Sequence, residues 1–370
     1  MLIKKYNILY RFLSIHFLKS FGLVFFCIAG IIALFSTITS LKDFAAVSVK
    51  IPLSVIVQFA LLDIFKTLNT ILPLSCLLAG ILTFWRLSRT SELTVIRSIG
   101  LSVWQFITPI LGVCIAIGCL NMMVLSPINS ALQQRVSKLK YKYEVSHSNP
   151  LLFSQHGLWL KEKSDFTQSF INAEYIKKEG LSLLGKNLVI YVTDLNNNFL
   201  RRIEAKSATL DNKSLNLVNV KMINPQLLTE TFDSYDYPTS LTVDRIEENS
   251  STPESFSFWE LPGFINFFEE AGFSARKHRS YFYTLLFMPL TLCAMLFIAS
   301  IFSISPKRNQ AKLVLKLSCG VIVGFSMFFL DQIVRAMGAS GRLSIFVSSI
   351  SIPFIVTLCC ITILLYHEDG

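Results

Sequence analysis

Six long stretches without a charged residue constrain this chain more than anything else in it. They cover 20–41, 67–85, 98–134, 280–306, 317–330 and 343–366. A bilayer core takes about 20 apolar residues per helix, and five of the runs meet or nearly meet that length. The fifth in order, 317–330, is short. The wider window 313–335 makes a full span if Lys316 reaches out to the interface and Asp331 pairs with Arg335 one turn away. The pattern predicts six transmembrane helices, three before residue 135 and three after residue 279. Mean hydropathy is +0.53, which leaves room for one sizeable water-facing segment, 135–279. The first run is too long for a signal-peptide core and lacks a small-residue cleavage site after it, so it is expected to stay as an anchor.

Charge placement sets the orientation. Residues 135–279 hold 18 Lys and Arg against 18 Asp and Glu, so the net charge of +10 belongs entirely to the membrane part. If the six spans alternate, eleven basic residues fall on one side, among them Lys4, Arg11, Lys19, Arg86, Arg89, Arg97, Lys307 and Lys316. The positive-inside rule makes that side cytoplasmic. Both termini are then cytoplasmic and 135–279 is exported. Basic residues lining membrane edges do not make a nucleic-acid face. All eight cysteines lie in apolar runs, so the exported segment has no disulfide framework, and the five histidines show no metal-ligand spacing.

The polar break at 86–101 is the most unusual stretch. It can form about three turns of helix, with Thr90 as N-cap and Gly100 as a C-terminal stop. Leu93, Val95, Ile96 and Ile99 share one face, and Glu92 lies in its middle, while Arg89 and Arg97 lie beside or opposite it. A carboxylate in an apolar stripe has two readings. Glu92 balances the helix dipole and pairs with Arg89, or this helix docks in a groove of a cytoplasmic partner with Glu92 inserted.

The second span carries Asp63 and Lys66 at i, i+3, and Pro73 is placed to kink it. The third is expected to continue through Pro127 into Arg135, Lys138, Lys140 and Lys142. From 157 to 246 alternating residues predict short strands, clearest at 188–194 and 215–221, with turns at 196–198 and 211–214. Regular spacing suggests an antiparallel sandwich or jelly roll. Residues 258–275 read as a helix, with Pro262 in its first turn and Gly272 near its end. Gly320 and Gly324 have the spacing that lets two membrane helices approach closely. Gly180 to Asn187 nearly spells a phosphate loop, but Asn187 stands where a Ser or Thr is required and both flanks read as strands. No Ser-His-Asp, metal or nucleotide constellation is present in the sequence, which argues against an enzyme acting on its own.

Three spans, an exported β domain and three more spans resemble the LptF/LptG permeases of lipopolysaccharide export. Leu72-Pro-Leu, Ala79-Gly and the run from Arg86 through Ser91-Glu92-Leu93 to Gly100 are similar to that family's second helix and cytoplasmic coupling helix. Phe258-Trp-Glu-Leu261 and Ala271-Gly-Phe-Ser274 also match. Gly324-Phe, Leu330, the run 335–341 and the 367–370 tail are more similar to the LptG branch than to LptF. The resemblance implies a non-catalytic permease subunit in a bacterial inner membrane. It divides the chain into 1–134 with a coupling helix within 89–100, a periplasmic β domain at 135–279, and 280–370.

The implied partners are an LptF-like permease, an LptB-like ATPase dimer that uses ATP and Mg, and LptC-like and LptA-like periplasmic jelly-roll proteins. No cofactor is bound by this chain itself. Lipopolysaccharide is the implied substrate, with Lys42, Lys66, Arg135 and Lys138 as substrate-binding positions. Arg89, Glu92, Leu93, Ile96 and Arg97 are the implied ATPase-coupling positions. Ala33 and Leu34 stand where some relatives carry a further lysine. The alternatives are an LptF-type subunit, a lipoprotein-release permease, and a stand-alone sensor or secondary transporter. A lipoprotein-release permease has its main exported domain after the first helix. A secondary transporter is expected to show midplane charges and repeated halves.

Overall fold

The computed structural model describes residues 2–45, 53–90, 92, 102–142, 151–154, 157–163, 167–179, 182–194, 198–211, 214–226, 229–239, 242, 252–303 and 310–369. In chain order the helices are α1 (Leu2–Ala45), α2 (Leu53–Arg89), α3 (Val103–Leu120), a π-helical segment (Asn121–Leu125) and α4 (Ser126–Lys142). The strands follow as β1 (Leu151–Ser154), β2 (Gly157–Lys163), β3 (Thr167–Glu179), β4 (Ser182–Asp194), β5 (Phe199–Asp211), β6 (Ser214–Ile223) and β7 (Thr229–Pro238). Then come α5 (Leu261–Glu270), α6 (Arg276–Leu286), α7 (Met288–Ser303), α8 (Gln310–Ala339) and α9 (Ile345–Asp369). Two units emerge. One comprises 1–136, 256–259 and 279–370, and the other 137–255 and 260–278.

Among the described residues of the helical unit, five helices are long and apolar enough to cross a membrane: Ile8–Thr39, Asn69–Arg89, Val103–Val136, Val314–Ala339 and Ile345–Tyr366. The sixth differs from the single rod expected at 280–306. It is the pair α6 and α7, bent by 55°. Pro289 supplies the reason, because its missing N–H and its ring deny Leu285 the helical bond four residues on. The basic leading segment is continuous with the first span in α1 rather than a separate helix.

The core of this unit forms around α2 and α7. Every residue from Thr291 to Ser300 is buried, as befits a helix that is apolar all round. Leu72, Cys76, Leu77 and Phe84 of α2 pack with Ile107, Ile110 and Cys114 of α3 and with Leu292 and Leu296 of α7 in one cluster, joined by Leu13 and Phe17 from the lower half of α1. Cys76 and Cys114 meet Sγ to Sγ at 3.4 Å. They behave as small buried hydrophobes, with a weak S–H donor between them.

The other unit is the expected antiparallel β domain. Its seven strands run in the plain order β1 to β7, each pairing with its neighbours in sequence. The sheet is nonetheless rolled. In a flat sheet Ser169 on β3 and Tyr237 on β7 would stand about 19 Å apart, four strand spacings. Their hydroxyls are 2.6 Å apart. Beside them Thr239, just past β7, donates to the Glu162 carboxylate of β2 at 2.8 Å. Burial pushes the Tyr237 phenol above its ordinary pKa, opposed in part by the Ser169 bond.

A crease explains the curvature. Along β4 and β6 the alternation of buried and exposed residues misses a beat at Lys186-Asn187 and at Val218-Asn219. Both asparagines take left-handed backbone, φ 52° and 55°, which Asn tolerates better than most residues. Residues 187 and 206 are left out of the β4–β5 ladder, and residues 206 and 219 out of the β5–β6 ladder. The interruption therefore runs across adjacent strands with their register kept, one residue left out on each, and the sheet folds along that line. The inner face collects Ile171, Ile190, Ile203, Leu217 and Val220. Residues 182–187 of the rejected phosphate loop belong to β4, and Asn187 donates to Glu174 at 2.7 Å.

Candidate substrate and coupling sites

At the C-terminal end of α2, Arg86 and Arg89 are exposed, and the Arg89 guanidinium lies 5.6 Å over the Trp85 ring. Thr90, expected to cap a new helix, closes the old one. Its N–H and its hydroxyl both donate to the Arg86 carbonyl, at 3.0 and 3.1 Å. Glu92 is half-buried and helical. Leu93, Ile96 and Arg97 lie outside the described residues, as do Val95, Ile99 and Gly100. The chain re-enters at Ser102, which forms a capping box with Gln105, two reciprocal bonds of 3.3 Å. The Ser-x-x-Gln spacing was the available signal for that start.

The four basic positions are dispersed over three helices. Lys42 is exposed in the last turn of α1, and Arg135 is exposed on α4. Lys66 and Lys138 are in α2 and α4, and the side chains of both, with that of Asp63, lie outside the described residues. What lies between Lys42 and the buried lower half of α1 is an apolar face without cover: Leu23, Phe26, Ile31, Leu34, Phe35 and Ile38 are exposed. An exposed stripe of that length needs lipid or another chain against it.

Neutral polar residues missed in the sequence join three helices. Asn121, 2% exposed, starts the π segment and donates to Asn69 Oδ1 at 2.9 Å. Asn69 on α2 donates in turn to the Tyr281 hydroxyl of α6 at 2.9 Å. One turn further along α4's start, Ser126 Oγ accepts the Phe258 N–H at 2.9 Å. The Phe258 ring stacks on Phe282, centroids 4.9 Å apart, and leaves Trp259 exposed. Phe258 of the Phe-Trp-Glu-Leu motif is thus clamped within the helical unit. The Ala271-Gly-Phe-Ser motif has a corresponding role within the β unit. Gly272 takes φ +82° with Lys178 of β3 against it, Lys178 donates to the Ala271 carbonyl at 2.9 Å, and Phe273 stacks on Phe268.

Gly320 and Gly324 are buried on α8. A methyl at Gly320 would lie 2.7 Å from Phe302 Cβ, and one at Gly324 would overlap Leu77. These glycines bring α8 close to α7 and α2. The pairing proposed for Asp331 and Arg335 is present at 2.9 Å, and both side chains are buried.

Apolar helices of this length around a buried central helix, joined in sequence to a rolled β domain, define a multi-pass membrane protein. The model of the family described as lipopolysaccharide export system permease LptF/LptG matches residues 11–367, and the chain belongs to that family. Among curated relatives it is similar to the lipopolysaccharide export system permease protein LptG of Escherichia coli strain K12, 25% identical over 283 residues, 75% of this chain and 76% of that protein. The LptG protein of Haemophilus influenzae is 22% identical over 285 residues, with the same coverage.

Proposed function

We propose that this chain is an LptG-type permease subunit that passes lipopolysaccharide from the inner membrane towards a periplasmic bridge, driven by ATP hydrolysed in a separate cytoplasmic subunit. The observation that carries the reading is the family match over nearly the whole chain, together with relatives named LptG. The uncovered apolar face of α1 supports it, because a helix with seven large exposed hydrophobics from Leu23 to Leu41 calls for a second membrane subunit. An LptF-like chain is the partner of that kind. The rolled β unit, with an apolar inner face, suits handover of acyl chains to LptC-like and LptA-like jelly rolls. The positive-inside argument supports a periplasmic β unit and cytoplasmic termini.

The inner end of α2 is the coupling element in this reading. Glu92 and Arg89, with Leu93, Ile96 and Arg97, face an LptB-like ATPase. Lys42, Lys66, Arg135 and Lys138 supply positive charge for lipid phosphates at the outer edge, where charged hydrogen bonds are the strong ones. Purification of the tagged chain from its own membranes tests the assignment. Co-purification of a second permease, an ATPase and lipid A-containing lipid is the expected result. A chain that purifies without an ATPase or with only bulk phospholipid refutes it.

A further inference from the structure

The bend between α6 and α7 is braced from every side of the helical unit. Tyr281, in α6, takes the Asn69–Asn121 chain described above. The rings of Tyr283 and Phe287 both meet Phe346 of α9, at 5.6 and 5.7 Å. Pro289 fills the space that a side chain at Gly118 would need. The last brace is polar. Thr291 donates to the Phe287 carbonyl from its N–H at 3.0 Å and from its hydroxyl at 3.1 Å. The same hydroxyl accepts from Arg335 Nη2 at 3.4 Å, and Arg335 is paired with Asp331. A guanidinium on α8 is therefore connected, through one hydroxyl, to the carbonyl at the bend.

Stability alone does not account for this arrangement. A buried ion pair adds little net stability over apolar residues of similar size, and ionisable groups inside a membrane bundle are costly. Asp331 and Arg335 are 4% and 8% exposed. The pair is also half-used, since Asp331 Oδ1 and Arg335 Nε are buried without a partner. We propose that Arg335, held by Asp331, is a positioning residue that sets the angle at Phe287 through Thr291. The bend is then the hinge at which α6, the segment returning from the β domain, turns against the buried α7 during lipid export. This rests on the permease reading above.

The test uses the assembled transporter in proteoliposomes. Thr291→Val keeps the volume, the ion pair and the backbone bond, and removes only the hydroxyl link. Measured on the intact assembled complex, lipid released per ATP hydrolysed is expected to fall about three- to tenfold, the weight of one hydrogen bond, and Thr291→Ser is expected to restore it. If Thr291→Val does not assemble, Arg335→Lys carries the same expectation, because it keeps the charge pair and loses the reach. A second readout is independent of lipid: the distance between nitroxide labels on unnatural amino acids at positions 276 and 316, which is expected to change with nucleotide in the wild type and to lose that change in the variant. A Thr291→Val transporter with the wild-type release ratio and the wild-type distance change overturns the hinge. A wild-type complex whose distance responds to nucleotide but which releases no lipopolysaccharide overturns the assigned substrate and leaves the hinge standing.

Discussion

Gly118 and Gly112 lie on the same helix, α3, and alanine at each should act in opposite directions. At Gly118 an added Cβ would lie 2.6 Å from Pro289 Cα and 2.8 Å from its nitrogen. These are backbone atoms beside the bend, so no rotamer change relieves the overlap. At Gly112 nothing lies within 4 Å. Alanine in a helix interior gains about 0.5–1 kcal/mol over glycine, while forcing a methyl into a packed contact costs about 1–3 kcal/mol. Gly118→Ala should therefore be destabilising by roughly 1 kcal/mol, and Gly112→Ala stabilising by about 0.5–1 kcal/mol. For a unit of this size that separates the two melting temperatures by about 3–8 °C. Thermal unfolding of the purified proteins in one detergent, followed by loss of the monodisperse peak, reads the difference directly. Equal shifts for both variants, in either direction, would refute the close approach of α3 to Pro289.

Ser126→Ala removes the acceptor of the buried Phe258 N–H, and should destabilise the helical unit by about 1–3 kcal/mol; a melting temperature within 1 °C or so of wild type sinks the clamp. Glu92→Lys should leave folding intact, because Glu92 is only half-buried, and abolish the stimulation of the partner ATPase by lipid; normal stimulation removes Glu92 from the docking surface. A cysteine introduced at Asn198 should react with an impermeant maleimide from outside the inner membrane and one at Asn309 only from the cytoplasm, the native cysteines all lying in apolar runs; the reverse pattern inverts the topology.

The spans were legible because length and apolarity are enough to define them. So was the Asp331–Arg335 pair, since i, i+4 spacing inside an apolar helix leaves each charge no better partner. The bend at Phe287 was not, although Pro289 stood in plain view. The run 280–306 is apolar on both sides of it, so hydropathy passes over the break without a mark. The crease in the sheet was hidden differently. Strand periodicity predicts strands at 188–194 and 215–221, but the beat missed at Asn187 and Asn219 shows only when neighbouring strands are in register. The candidate substrate positions were legible as charges near one membrane edge. Which of their helices face a common space depends on packing with neighbours, and no one-dimensional pattern encodes it.

The residues that sequence reading passed over share a property. Asn69, Asn121, Tyr281 and Thr291 are neutral, and each lies next to an interruption in a helix. Asn69 is four residues before Pro73, whose missing N–H leaves the Asn69 carbonyl without its helical donor. Asn121 opens the π segment. Tyr281 and Thr291 flank the bend at Phe287. Away from water, a backbone group released from the helical ladder must find another partner. In this unit the polar side chains near such breaks bond to one another, Asn121 to Asn69 to Tyr281, and Arg335 to Thr291, whose hydroxyl joins its own N–H on the Phe287 carbonyl. A neutral polar residue within about one turn of a proline in an apolar run is thus a place to look for such a partner. Asn69 beside Pro73 and Thr291 beside Pro289 are two of these in this chain, as are Ser75, Thr108 and Ser351, and the bonds each one makes decide which of them anchor the helix that returns from the β domain.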